Sequence, residues 1–225
     1  MTGLNSTRRC VLCNEVSGQH ALSTLLSIPL PVHRVLIEDE DFLVLRDICP
    51  LIPGHYLLIS REHLCSFGDL PATKHKTFSQ FKLYAADMIG RRFARPILFE
   101  HGSRIGSMAA GACVEHAHIH LIPVSGAPVT LWMEEFGDVK TCTDPAAPSS
   151  VVSSEDYLFY EDDQGVGSIV LNPSPRVPHQ FIRRQMGQHL DIPDWNWKTV
   201  FRLPDSAPLS SGRGPDSGNE NDRRS

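Results

Sequence analysis

The sequence predicts an α+β fold, and three observations carry that expectation. Short apolar runs of strand length fill residues 34–60, and an apolar period near 3.6 residues runs through residues 71–94. A second strand pair and a second helical stretch follow residue 155. Strands around one central helix, with a smaller strand-helix addition, describe an antiparallel sheet carrying a C-terminal extension.

In chain order, "HRVLIEDED" (33–41) leads into "FLVLRD" (42–47), and after the turn-forming "CPLIPG" (49–54) comes "HYLLIS" (55–60). Two apolar runs flanking a short Pro/Gly connection predict an antiparallel pair. In residues 71–94, Phe78, Phe81, Tyr84, Ala85, Met88 and Ile89 share one helical face. Asp69 or Thr73 caps the start of this helix, and Pro96 forbids its continuation. "PILFEH" (96–101) is the next strand, and a Gly/Ser/Ala-rich loop separates it from the strand "CVEHAHIHLIPV" (113–124). Residues 140–154, rich in Pro and Ser, read as a linker. "DYLFYED" (156–162) and "GSIVLN" (167–172) form a strand pair around a "DDQG" turn, and residues 177–192 form a helix. From about residue 203 the Gly/Ser/Asp/Asn/Arg composition predicts disorder. The organisation is therefore a core over residues 1–135, an extension packed on it over 136–202, and a tail over 203–225.

The chain has 225 residues, 41% of them hydrophobic and 21% charged, enough for one substantial core and a modest appendage. A net charge of −5 supplies no global basic field, so neither nucleic acid nor an anionic membrane is expected as a partner. The first ten residues lack a long apolar stretch, and no run reaches membrane-spanning length. Six cysteines in a chain this long are too sparse for a disulfide framework. The expected compartment is the reducing cytoplasm, where Cys10-Val11-Leu12-Cys13 is metal-binding or redox-active rather than a structural disulfide, and no thioredoxin-like βαβ context favours redox activity.

The densest chemical signal is "VEHAHIHLIPV" (114–124). On a strand, residues two apart share a face with side chains about 7 Å apart, so His116, His118 and His120 point one way and Ala117, Ile119 and Leu121 the other. Two chemistries suit such a row. Imidazoles at this spacing can share a metal ion, as in a metallohydrolase. Alternatively, an unprotonated ring nitrogen attacks phosphorus near neutral pH while a neighbouring ring donates to the phosphate oxygens. His118, with an imidazole on each side, is the natural attacker.

His116-Ala117-His118-Ile119-His120-Leu121-Ile122 resembles the signature of the histidine triad (HIT) superfamily, and "RDICPLIPGHYLLISREH" (46–63) resembles the same family's first ligand-binding strand and hairpin. The resemblance implies a HIT-like antiparallel sheet and a nucleotide hydrolase or nucleotidyl transferase, usually a homodimer. It implies that His118 forms a covalent nucleotidyl intermediate at the α-phosphate of a nucleoside phosphate conjugate. His120 would hydrogen-bond the phosphate, and His116 would support the catalytic ring or bind metal. Asp47 would take the ribose hydroxyls, a role that suits a carboxylate able to accept from two donors, and Ile48 would pack on the base.

Three departures bear on the substrate. Gly111-Ala112-Cys113 stands where many relatives carry Gly-Gln-Ser, so a thiol at Cys113 replaces a leaving-group donor. Glu100 and His101 stand where an Asn is common, and an anionic Glu100 beside phosphates repels them unless it is protonated or turned toward a cation. The loop at 102–110 is longer than in compact members.

Zinc-containing HIT proteins and the related galactose-1-phosphate uridylyltransferases pair an N-terminal Cys-x-x-Cys with two histidines. By that resemblance Cys10, Cys13, His63 and His116 form one structural zinc site per chain, with Cys65 and His55 as weaker substitutes. In the extension, Arg183 and Arg184 read as a solvated helix face, with a clasp on phosphate or carboxylate, joined by Gln180, as the alternative. Two further functions stay open beside the enzyme: a nucleotide sensor without turnover, and a metallohydrolase with its metal on the triad.

Overall fold

A computed structural model describes residues 10–19, 34–104, 107, 110–112, 114–152 and 155–201. Cys113 and the 203–225 tail lie outside the described residues. The fold is α+β, built on eight antiparallel strands in the order β1-β2-β3-β5-β4-β7-β8-β6. These are β1 (Val35–Glu38), β2 (Phe42–Arg46), β3 (Tyr56–Ser60), β4 (Ile97–Gly102), β5 (His118–Ile122), β6 (Lys140–Cys142), β7 (Tyr157–Glu161) and β8 (Gly167–Leu171). The helices are α1 (Val11–Val16), α2 (His75–Gly90), α3 (Val129–Met133), α4 (Phe181–His189) and α5 (Trp197–Val200). None of them is long and apolar enough to cross a membrane.

The continuous apolar runs of β2 and β3 are buried along nearly their whole length because both faces of the sheet are covered. On one face Phe42, Val44, Leu58, Leu98, Ile119 and Leu121 pack against Phe78, Phe81, Ala85 and Ile89 of α2. On the other, Leu43, Leu45, Leu57 and Ile59 pack against Val11 and Leu12 of α1. Farther along that second face, Phe99, Leu158 and Val170 pack under Met133, Phe181, Ile182 and Met186 of α3 and α4.

The expected elements are present with shorter bounds. α2 begins at His75 after a 3-10 turn, and no side chain caps it; neither Asp69 nor Thr73 does so. Residues 140–152, the described part of the expected 140–154 linker, are not a linker. Lys140–Cys142 pairs with β8, and Ala146, Ala147 and Ser149 are buried, because Lys82 of α2 draws this stretch inward through a bond to the Ala147 carbonyl. The extension also adds to the sheet itself: β7 pairs with β4 along Leu98–Gly102, so one sheet runs from the core through the C-terminal strands.

Candidate active site and metal centre

β5 alternates half-buried and buried residues, which sets His118 and His120 on the face of the sheet opposite α2. A pocket on that face is lined by Asp47, Ile48, His118 and His120, by Val11, Leu12 and Leu57, and by Gln180, Arg183 and Trp197 from the extension. His116 does not line this pocket. It precedes the strand, is fully buried, and turns its ring to the Cys pair beside α1, which packs on this same face, so two of the three imidazoles face the pocket and the third faces the thiols.

Hydrogen bonds fix the tautomers. A carbonyl oxygen only accepts, so the 2.6 Å contact between His118 Nδ1 and the His116 carbonyl requires an Nδ1–H and leaves Nε2 with its lone pair. Burial lowers the His118 pKa below the usual 6.5, which keeps the ring neutral near pH 7. The amide of Leu51 donates to His55 Nδ1 at 3.1 Å, so a neutral His55 carries its proton on Nε2. That proton faces His120 Nδ1 at 2.9 Å, and His120 in turn carries its own on Nε2. Burial drives His55 down to about 4 and His120 well below the ordinary value, so both rings are neutral. The His120 ring stacks on Phe99 at 4.6 Å between centroids, which holds its plane. His55 is the site residue sequence reasoning undervalued, although it stands inside the quoted 46–63 segment.

Asp47 is 6% exposed. Burial acts to raise its carboxyl pKa, but charges at His55, Arg183 and Arg34 and the Cys49 amide outweigh it and bring the pKa below 3.8. With His55 neutral near pH 7, the two guanidiniums carry that effect. Oδ1 accepts from the Cys49 amide at 2.7 Å, while Arg183 Nη1 lies 3.5 Å from Oδ2. Arg183 is 2% exposed, so it is not on a solvated face; it also donates to the Cys49 carbonyl and, at 2.7 Å, to the Trp195 carbonyl. Gly187 allows this arrangement, since a Cβ there would stand 2.3 Å from Trp195 Cβ. The partner residue Arg184 is half-buried and turns over the Phe181 ring at 5.7 Å.

Glu100 and His101 part ways. Glu100 faces α2, where Oε1 accepts from the Phe67 amide at 3.0 Å and Oε2 meets the Tyr157 hydroxyl at 2.5 Å. Burial raises its pKa to about 8, so it is protonated near neutrality and turned from the pocket, and the expected repulsion does not arise. His101 lines the pocket, and its Nε2 accepts from the Ile182 amide at 3.3 Å.

The second cluster gathers the Cys pair. The ligand atoms of Cys10, Cys13, His63 and His116 all lie within 4.8 Å of one another, and neither Cys65 nor His55 joins them. Cys10 Sγ is 3.3 Å from His116 Nδ1, and Cys13 Sγ is 3.2 Å from His63 Nδ1. Sulfur and nitrogen sharing a tetrahedral zinc stand about 3.6 Å apart, so this donor set fits the metal. His116 Nε2 donates to the Ser60 carbonyl at 2.8 Å, which leaves Nδ1 free of its proton and aimed at the thiols. Hydrogen bonding within the Cys pair and to His116 and His63 pulls the Cys10 thiol down to about 2, so one sulfur is a thiolate.

Comparison with known proteins places this geometry in context. The HIT domain matches residues 32–126. An uncharacterized HIT-like protein of Chlamydia muridarum is 31% identical over 90 residues, which are 39% of this chain and 68% of that protein. AP-4-A phosphorylase of Mycobacterium tuberculosis is 26% identical over 96 residues, 39% of this chain and 49% of that enzyme. Adenosine 5'-monophosphoramidase HINT3 of Danio rerio is 34% identical over 59 residues, 26% of this chain and 31% of that enzyme.

Proposed function

This chain belongs to the HIT family, and on that premise we propose that it is a nucleotide hydrolase or nucleotidyl transferase acting through a nucleotidyl-His118 intermediate. The observation that carries the reading is the His118 tautomer: Nδ1–H is held by the His116 carbonyl, and the unprotonated Nε2 belongs to a residue lining a pocket beside Asp47. Nε2 attacks the α-phosphorus of a nucleoside phosphate conjugate, and the bond from phosphorus to the leaving group breaks with its electron pair. Water or another acceptor then attacks the same phosphorus and releases His118. His120, whose Nε2–H is set by His55, donates to the phosphate oxygens as their charge grows. Asp47 accepts from the ribose hydroxyls, Ile48 packs on the base, and Cys113 is the leaving-group donor. The relatives named as a phosphorylase of AP-4-A and an adenosine 5'-monophosphoramidase agree in class.

Zinc at Cys10, Cys13, His63 and His116 is structural in this reading: it fixes His116, whose carbonyl orients the nucleophile. Residues 1–135 are the catalytic unit, and 136–202 complete its pocket. The cytoplasm is the proposed compartment and a homodimer the proposed assembly; since β4 already pairs with β7, a subunit interface would use another surface.

A catalytic metal on Asp47, His55 and His120 is the second reading, because their ligand atoms also lie within 4.8 Å of one another. Against it, the facing nitrogens of His55 and His120 are 2.9 Å apart and share a proton, whereas nitrogens on one metal stand about 3.3 Å apart and carry none. Incubation with adenosine phosphoramidate, dinucleoside polyphosphates and nucleotide sugars tests the proposal. Turnover with a trapped nucleotidyl adduct, lost in His118→Ala, is expected. Tight binding without turnover means a nucleotide sensor instead, and a second bound metal that is lost in His120→Ala means the metal reading.

A further inference from the structure

The extension contributes a polar group to the pocket that the proposed chemistry does not use. Gln180 lines the pocket and is 7% exposed. Its backbone is left-handed, with φ 59° and ψ 27°, a conformation that costs a side-chain-bearing residue about 1 kcal/mol or more and clusters at ligand sites. Three neighbouring bonds hold this strained entry to α4 in place. The Gln180 amide donates to the Gly111 carbonyl at 3.2 Å, His179 Nδ1–H to the Ala112 carbonyl at 3.1 Å, and the Ile182 amide to His101 Nε2 at 3.3 Å.

The orientation of the Gln180 amide follows from donors and acceptors alone. The backbone N–H of Lys198 donates to the Asn196 side chain at 3.0 Å, so the atom it meets is the carbonyl Oδ1. The same Oδ1 lies 3.1 Å from the Gln180 amide, so the Gln180 atom facing it is the NH2 group. The remaining atom, Gln180 Oε1, is a buried acceptor with no partner among the described residues. Burying an unpaired carbonyl costs roughly 1–3 kcal/mol, and native structures retain such a group rarely and for a reason.

We infer that Gln180 Oε1 accepts a hydrogen bond from a sugar hydroxyl of the bound ligand, so the C-terminal extension reads the ribose together with Asp47. The inference rests on the nucleotide reading above and extends it beyond the matched 32–126 segment. Phosphate oxygens near neutral pH are acceptors, so they do not pair with a carbonyl. A sugar hydroxyl does, and Arg183, three residues on along the same helix face, already reaches Asp47, the group assigned to the ribose.

Titration calorimetry on the full-length protein with AMP, 2′-deoxy-AMP and 3′-deoxy-AMP tests this, comparing wild type with Gln180→Leu. The Leu variant is expected to bind AMP ~10-fold or more weakly, the loss of a buried hydrogen bond. One deoxy analogue is expected to bind both proteins alike, because it lacks the paired hydroxyl. A purely structural role for Gln180 predicts equal losses for all three ligands, and that result overturns the inference. Asn196→Ala removes the partner of the Gln180 NH2 but not the acceptor, so it should keep the discrimination between AMP and the deoxy analogues; loss of it there also counts against the inference. If the wild type binds AMP and the Leu variant matches it, the Gln180 assignment alone falls. If the wild type binds none of AMP, GMP, CMP or UMP, the nucleotide reading falls and takes this inference with it.

Discussion

His118 serves the proposed reaction only while Nε2 keeps its lone pair, and protonation removes that pair. The ring is buried, next to His116 and near the Asp47 carboxylate; burial outweighs the carboxylate and lowers its pKa below 6.5. The sign follows directly: the reactive neutral form persists below the pH at which an ordinary histidine charges. The acid limb of kcat/KM, which reports the free enzyme, is therefore expected below pH 6.5, and a limb at or above that value would contradict the assignment of His118. At this scale the sequence was informative for His118, His120 and Asp47, because strand alternation and one short segment place them. It was silent on the His55 relay, since a ring-to-ring bond across 65 residues leaves no local pattern.

At the scale of elements, α2 and the β7–β8 hairpin were legible because each satisfies its own period within one continuous stretch. Helix α4 was legible as a helix but misread in role. An Arg-Arg pair near a helix start suggests solvent, and only the tertiary placement of α4 over the 47–49 turn reveals that Arg183 is buried. The guanidinium spans the Cys49 carbonyl, the Trp195 carbonyl and Asp47 at once, which needs a planar fork of donors. Lysine keeps the charge but offers a single point of attachment. Arg183→Lys is thus expected to raise KM for a nucleotide substrate about tenfold through a displaced Asp47, with a smaller change in kcat. Steady-state kinetics read this split. An unchanged KM would mean that Asp47 holds its place without α4.

At the scale of the molecule, the surprise is continuity. The Pro/Ser-rich composition of 140–154 mimics a linker, yet Ala147 within it is held by Lys82, whose ammonium bonds the Ala147 carbonyl at 3.0 Å and Glu161 at 2.5 Å. Composition reports local preference, and a buried ion pair on a distant helix overrides it. The Cys pair shows the opposite case, in which a local spacing foretold a long-range closure. Cys10 meets His116 across 106 residues, so a metal there closes most of the core's chain into one loop and joins α1 to the segment that presents His118. Because the unfolded chain holds no such site, metal affinity adds to folding stability, by about 4 kcal/mol at a free metal concentration 1,000 times Kd. Removing the metal with a chelator should therefore lower Tm by several degrees, and adding zinc back should restore it. Cys10→Ser should lose the bound zinc and show the low Tm without chelator, while His118→Ala, which leaves all four ligands intact, should keep one zinc per chain. Metal analysis beside thermal melts decides the matter: a Tm indifferent to chelation, with no zinc in the purified protein, would leave the four residues as a hydrogen-bonded cluster only.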